Sequence, residues 1–276
     1  MDIVVAVFGW HTTGNVVLLR QQSAEGGRLR FETTVIDRRP GAIHVPVADL
    51  NGDNRPDFVV VFSQEHESVE AFINRTDGAF DKQILYRAPD PSYGSTGIQL
   101  IDLDRDGDWD VLYTNGDTFD SYYVKPYHSI RWIENRGDSS WQDHQLTSLP
   151  GVSRALAGDL DGDGDLDIAA CSFIPAQSIA RQPEVASFAS LIWLEQQGGK
   201  FVRHEIEANH CVHAALELAD LNRDGALDIV VGNFGQSPAD KLRPLTVWLN
   251  QGQRTTALPS TRVSSVPASR SESADN

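Results

Sequence analysis

The sequence predicts an all-β protein, a β-propeller of about five four-stranded blade units in which the first and last are incomplete. Three observations carry this. A nine-residue aspartate-rich loop of the form D-L-[ND]-x-D-[GN]-x-x-D occurs four times, at 49–57, 102–110, 159–167 and 220–228. Each copy runs straight into an apolar stretch: Phe58-Val59-Val60-Val61, Val111-Leu112-Tyr113, Ile168-Ala169-Ala170 and Ile229-Val230-Val231. Such residues favour strands. The copies recur every 53 to 61 residues, the signature of an array of supersecondary units.

Oxygen-bearing side chains stand at loop positions 1, 3, 5 and 9: Asp49, Asn51, Asp53 and Asp57; Asp102, Asp104, Asp106 and Asp110; Asp159, Asp161, Asp163 and Asp167; Asp220, Asn222, Asp224 and Asp228. Position 7, which is Arg55, Asp108, Asp165 or Ala226, offers its backbone carbonyl. That donor set suits Ca²⁺, which takes roughly 6–8 oxygens, so up to four ions are expected. Position 6 is Asn54, Gly107, Gly164 or Gly225, residue types that tolerate the left-handed turn needed to fold the loop back. The opening matches an EF-hand, but an EF-hand needs a Glu at position 12 and flanking helices. Position 12 here is Val60, Tyr113, Ala170 or Val231. Metal-free Asx-turns between strands are the plainer alternative, and four copies in one register argue against it.

After each loop the same order of elements recurs. A first strand follows the loop, and a second ends in a polar turn: 69–74, 130–135, 191–196 and 245–250. A short third strand comes next in three units, at 80–85, 141–146 and 201–206. The strands entering the loops, at 43–47, 97–101, 155–158 and 214–219, complete the units. Four short strands at this period point to propeller blades. The units run at about 1–40, 41–92, 93–150, 151–208 and 209–251, followed by a Ser/Thr/Arg/Pro-rich tail at 252–276 whose composition cannot bury a core and reads as disordered.

At these residues the chain resembles the FG-GAP/VCBS repeat family, whose blades carry this calcium loop between their first and second strands. The name-giving dipeptide is present as Phe8-Gly9 and Phe234-Gly235. The resemblance covers roughly residues 1 to 250. It implies a calcium-stabilised β-propeller in secreted, periplasmic or cell-surface proteins, used for binding or as a scaffold; it implies no substrate. Asp2 to Gly9 aligns with Asp228 to Gly235, so Met1 sits inside a repeat and no signal peptide precedes the first strand. Unit one is expected to lack its inner strand and unit five its outer one, which suits an open arc or a piece of a larger ring, with a five-unit ring closed by the tail as the alternative.

The net charge is −16, and sixteen of the 39 acidic residues are aspartates of the four loops. Four Ca²⁺ would offset about half of that charge, and without them like-charge repulsion opposes the compact state. No basic patch suggests nucleic acid, and no apolar run is long enough to span a membrane. Cys171 and Cys211 fall in neighbouring units on the same face, where a disulfide or two unpaired thiols would both fit. His210-Cys211-Val212-His213 is read against a transition-metal site, because strand spacing sends His and Cys to opposite faces.

Two inter-strand loops exceed what a blade needs, 115–128 and 171–190, and both should emerge opposite the calcium loops. That face holds the candidate ligand-binding residues Asp117, Asp120, Tyr122, Tyr123, Tyr127, His128, Arg154 and His210, since long loops on a rigid scaffold are where binding sites are built. The alternative is that the tyrosines only pack the loops onto the rims. Trp132, Trp193 and Trp248 recur at one blade position and read as packing, with Glu134 and Glu195 beside them solvated. No nucleophile elbow, zinc-protease motif or phosphate loop is present. The sequence therefore favours a non-catalytic calcium-binding module for a glycan or extracellular protein partner, with the propeller of a carbohydrate-active lyase or oxidoreductase as the alternative.

Overall fold

The computed structural model describes residues 1–9, 12–22, 28–137, 139–235 and 243–252. The tail read as disordered lies, from residue 253 on, outside the described residues. The described chain forms five antiparallel sheets in sequence order, an arrangement consistent with propeller blades. Sheet one is β1 (Ile3–Val7), β2 (Asn15–Gln22) and β3 (Arg30–Asp37). Sheet two is β4 (Ala42–His44), β5 (Val47–Ala48), β6 (Asp57–Phe62), β7 (Ser68–Asn74) and β8 (Phe80–Arg87). Sheet three is β9 (Ser95–Ile101), β10 (Asp110–Asn115), β11 (Ser129–Asn135) and β12 (Trp141–Ser148). Sheet four is β13 (Val152–Gly158), β14 (Asp167–Ser172), β15 (Ala189–Gln197) and β16 (Lys200–Ala208), and sheet five is β17 (His213–Ala219), β18 (Asp228–Asn233) and β19 (Leu245–Trp248). Among the described residues sheets one and five have three strands each.

The first strand of sheet two is split. β4 and β5 both pair with β6, and Val45-Pro46 separates them because proline has no N–H for the ladder. The Pro46 carbonyl still accepts from Val59 N at 3.0 Å, so the strand bends without leaving the sheet.

The central strands explain why the post-loop runs are apolar throughout rather than alternating. Every residue of β6, β10 and β14 is buried. Along β6, Phe58, Val60 and Phe62 face sheet one and pack with its Val16 and with Ala42 of β4, while Val59 and Val61 face sheet three with Val111, Tyr113 and Ile133. Leu112 of β10 meets Ile168 and Ala170 of β14, whereas Ala169 and Cys171 turn to Leu216, Ile229 and Val231 of sheet five. A period of two thus feeds two neighbours, and both faces must be apolar. Outer strands show the opposite pattern: β8 and β12 are mostly exposed or half-buried.

The first strands pack in succession, β4 against β9, β9 against β13 and β13 against β17. Polar contacts join them: Ala157 N donates to Gln99 Oε1 at 2.7 Å, and Ser153 Oγ donates to the His213 carbonyl at 2.7 Å. The long loops at the far end of β10 and β14 interlock. The second contains a short helix, α1 (Ala176–Arg181), and a 3₁₀ turn at Pro183–Ser187. Val124 N donates to Gln182 Oε1 at 2.7 Å and Arg181 reaches the Ser121 carbonyl at 2.5 Å. No helix among the described residues is long and apolar enough to cross a membrane.

Candidate functional site

All four aspartate loops close the hairpin between the first strand of a sheet and its second, and all four fold alike. Position 9 is a buried clasp. One oxygen of Asp57, Asp110, Asp167 or Asp228 accepts from the backbone N–H of the leucine at position 2, at 2.9 to 3.1 Å. The other accepts from a backbone N–H at the end of the third strand or just past it, that of Asn74, Asn135, Gln196 or Asn250, at 2.7 to 2.8 Å. The position-9 carboxylate therefore ties the loop to a strand some twenty residues away, in addition to any ion it ligates. Burial pushes the Asp110 carboxyl up to about 6 and raises those of Asp57 and Asp167.

Within each loop the position-5 carboxylate accepts from the N–H at position 7, and the position-3 oxygen accepts from the N–H at position 5. Two left-handed residues make this possible. Position 6 has φ of 63° at Asn54 and 91° to 99° at Gly107, Gly164 and Gly225, as anticipated. Position 4 is left-handed too, at Gly52, Arg105, Gly162 and Arg223. Arginine gives no sequence signal for that conformation, so this second reversal was missed.

The loops separate into two kinds at position 3. In loops two and three it is an aspartate, and one oxygen each of Asp102, Asp104 and Asp110, and of Asp159, Asp161 and Asp167, lie within 4.8 Å of one another. Burial raises the carboxyls of Asp104 and Asp161, and the neighbouring carboxylates raise them further. Asp102 Oδ1 is buried with no hydrogen-bond partner. In loops one and four position 3 is an asparagine whose amide donates to position 5 at 2.8 Å, Asn51 to Asp53 and Asn222 to Asp224. Arg55 adds an ion pair to Asp53. The backbone N–H of Ala226, followed by the Asn222 amide, lowers the Asp224 carboxyl; at Asp49 burial is outweighed by the N–H groups of residues 51–54, with the same net direction. An orphaned buried oxygen inside a carboxylate triad is the environment a hard divalent cation would relieve, so the residues present fit the expected ion at loop two best.

The eight residues expected on the opposite face do not converge on one place. Asp117 and Asp120 line a cleft of about 680 Å³ together with Phe119, Ser95 and Glu67. Glu67 is the residue sequence reasoning missed. It is buried, its Oε2 accepts from Ser95 N at 2.8 Å and Ser95 Oγ at 2.5 Å, and burial pushes its carboxyl up to about 7. Tyr122 and Tyr123 sit beneath the Arg181 guanidinium, and Tyr127 stacks on Tyr93 at 4.9 Å. His128 is buried, accepts from Gly151 N at 3.1 Å through Nδ1, and is pushed down to about 4 by burial and by Lys125. Arg154 lies among the first strands, donating to the Ile98 carbonyl at 3.0 Å. His210 stands apart with Glu207 and His213.

Three further expectations resolve. Cys171 and Cys211 are free, buried thiols. Trp132 and Trp193 pack as expected, each stacked on a histidine, His144 or His204. Glu134 and Glu195 are not simply solvated, however: they bond those same histidines at 2.6 and 2.7 Å, because the cross-strand partner of each tryptophan is a histidine.

Repeated antiparallel sheets, each later one carrying an aspartate loop at its first hairpin, define a protein of tandem β-sheet repeats. A family of FG-GAP-like repeats matches residues 49–113 and 114–170 of the chain. A search of curated proteins finds no match to this sequence. Among solved structures the chain is similar to the V. cholerae biofilm matrix protein Bap1, with 17% identity and a TM-score of 0.46, over 83% of this chain and 30% of that one. It is also similar to the Bombyx mori GH32 beta-fructofuranosidase BmSUC1, with 11% identity and a TM-score of 0.36, over 74% of this chain and 50% of that one.

Proposed function

We propose that the chain is a calcium-binding β-propeller module that acts outside the cell or at its surface, holding a glycan or protein partner on the face opposite its aspartate loops. The observation that carries the metal assignment is the buried, unpartnered Oδ1 of Asp102, one of three carboxylates that converge within 4.8 Å. The side chains at positions 1, 3, 5 and 9 would hold the ion with the position-7 carbonyl. Ca²⁺ supplies charge neutralisation there and no redox chemistry. The chain's own residues keep the loop in shape through the position-9 clasp, which fastens each first hairpin to the third strand. The cleft beside Asp117, Asp120 and Phe119, with its mixed acidic and aromatic lining, supports the assignment of a binding face. Glycan and protein arrays probed with and without calcium test the reading: partner binding lost on chelation and reduced by Asp120→Ala is expected, and calcium-independent binding that ignores the cleft would overturn it.

A second reading, the propeller of a carbohydrate-active lyase or oxidoreductase, draws on Glu67. A buried carboxyl held near 7 in a cleft is the environment of a general acid or base. Turnover of a polysaccharide that disappears in Glu67→Gln, with the fold intact, would replace the first reading by this one.

A further inference from the structure

We propose that Glu207, His210 and His213 form a transition-metal site, separate from the aspartate loops, that fastens sheet four to sheet five. Glu207 lies near the end of β16, His213 opens β17, and His210 stands in the turn between them. One ligand atom from each lies within 4.8 Å of the others. The sequence reading against metal here assumed uninterrupted strand alternation. The chain instead makes a tight turn, Val212 N donating to the His210 carbonyl at 2.7 Å, which returns His213 to the side of His210. Cys211 is directed elsewhere, toward the Phe188 and Ala189 carbonyls.

The hydrogen bonds of His213 call for a cation. Its side chain is wholly buried. Nδ1 lies 2.6 Å from Asn233 Oδ1, and the Asn233 amide is oriented by donating from Nδ2 to the Arg243 carbonyl at 2.8 Å and to Thr246 Oγ1 at 2.9 Å. Nδ1 must therefore carry a hydrogen. Nε2 lies 2.6 Å from Glu207 Oε2, another acceptor, so in a neutral ring two lone pairs would face each other. A proton fits that 2.6 Å contact as it stands; a tetrahedral metal ion bound by both atoms takes its place once they open to roughly 3.3 Å. A proton accounts for His213 alone. A metal ion also accounts for His210, whose Nδ1 stands 3.7 Å from Glu207 Oε1 and whose ring crosses that of His213.

The surroundings have the form of a metal centre. A ligating histidine characteristically donates its remote N–H to a carbonyl or carboxylate, as His213 does to Asn233. Ser190 Oγ donates to Glu207 Oε2 at 2.9 Å and holds that carboxylate in place. Two imidazoles and one carboxylate suit Zn²⁺ or a neighbouring first-row ion rather than Ca²⁺. Three protein ligands leave a fourth position, on the side where His210 is exposed. The site is not a property of the repeat: the strand registers put Thr147 and Val152 at the equivalent places one sheet earlier.

The test is a calorimetric titration of the full chain with Zn²⁺ at saturating Ca²⁺, so that occupancy of the aspartate loops does not enter. One Zn²⁺ per chain with a micromolar or tighter Kd is expected. His210→Ala and Glu207→Gln should each weaken it at least tenfold with an unchanged circular dichroism spectrum, while Asp161→Ala should leave it alone. Nitrogen-15 NMR should show the His213 Nε2 proton in the metal-free protein and its loss on Zn²⁺ addition. No Zn²⁺ uptake, uptake undiminished in both variants, or an Nε2 proton that persists at saturating Zn²⁺ would each overturn the proposal.

Discussion

Loops two and three differ from loops one and four mainly at a single atom, the group at position 3 that is a carboxylate oxygen in one pair and an amide nitrogen in the other. In loops one and four that nitrogen donates to the position-5 aspartate, and one of the acceptors meets a hydrogen supplied by the loop itself. In loops two and three three carboxylates converge, and in loop two Asp102 carries an orphaned oxygen. The same backbone thus carries either a donor hydrogen or a third carboxylate at position 3, and under the proposed function only the second arrangement is expected to depend strongly on a cation.

The largest effect that would sharpen this comparison is metal removal. A ligand held at a thousand times its Kd stabilises by about 4 kcal/mol per site, and each kcal/mol moves the melting temperature by about 2–4 °C at this size. Chelation should therefore lower the melting temperature by more than about 10 °C, and calorimetry should resolve two tight and two weak Ca²⁺ sites. Four equal sites would break the comparison outright.

Asp161→Ala should come next. It should abolish one tight site and, with calcium present, speed amide exchange in the strand that begins beside Ile168 relative to the other sheets. In metal-free protein the sign reverses, because one member of a crowded triad is gone: the variant should melt higher than its parent. A variant that melts lower in both conditions would mean that Asp161 acts through backbone hydrogen bonds alone.

The converse substitutions, Asn51→Asp and Asn222→Asp, replace the donor by a third carboxylate. Each should raise calcium affinity at its own loop by roughly tenfold, since affinity follows ligand charge, and should lower the melting temperature of metal-free protein. Unchanged affinity would place the difference between the loops somewhere other than position 3. The smallest effect belongs to Arg55→Ala. An exposed ion pair is worth about 0–1 kcal/mol, so releasing Asp53 should tighten loop one by only a few-fold, detectable as a shift of the weaker calorimetric phase.

Most of this architecture was legible because it repeats. A motif seen four times marks its own boundaries, and the apolar runs at Phe58, Val111, Ile168 and Ile229 located the central strands. What escaped was whatever depends on partners distant in the chain or on conformations without a residue signature. The clasp from Asp110 to Asn135 N, the left-handed Arg105 and Arg223, and the split at Val45-Pro46 belong to that group. The six-residue helix at Ala176–Arg181 is too short to show a period. The E-x-x-H-x-x-H spacing of Glu207, His210 and His213 was present in the sequence, but its meaning depended on a turn at Cys211 that strand logic does not anticipate. Glu67 carried no signal at all: only its burial beside Ser95 distinguishes it from a surface glutamate.

The alternation along β6, β10 and β14 bears on how a chain of this kind can be cut and extended. Phe58 and Val59 are neighbours in the backbone yet belong to different cores, so one unit alone contains two halves of a core and completes neither. The shortest fragment expected to fold is then a pair of consecutive units, and a duplication one unit long adds a single new interface while leaving the older ones untouched. Register matters more than location in such an event. A fusion that slips by one residue within a central strand would hand Phe62 to the neighbour shaped for Val61, and a join made anywhere between strands would be tolerated better than that one-residue error.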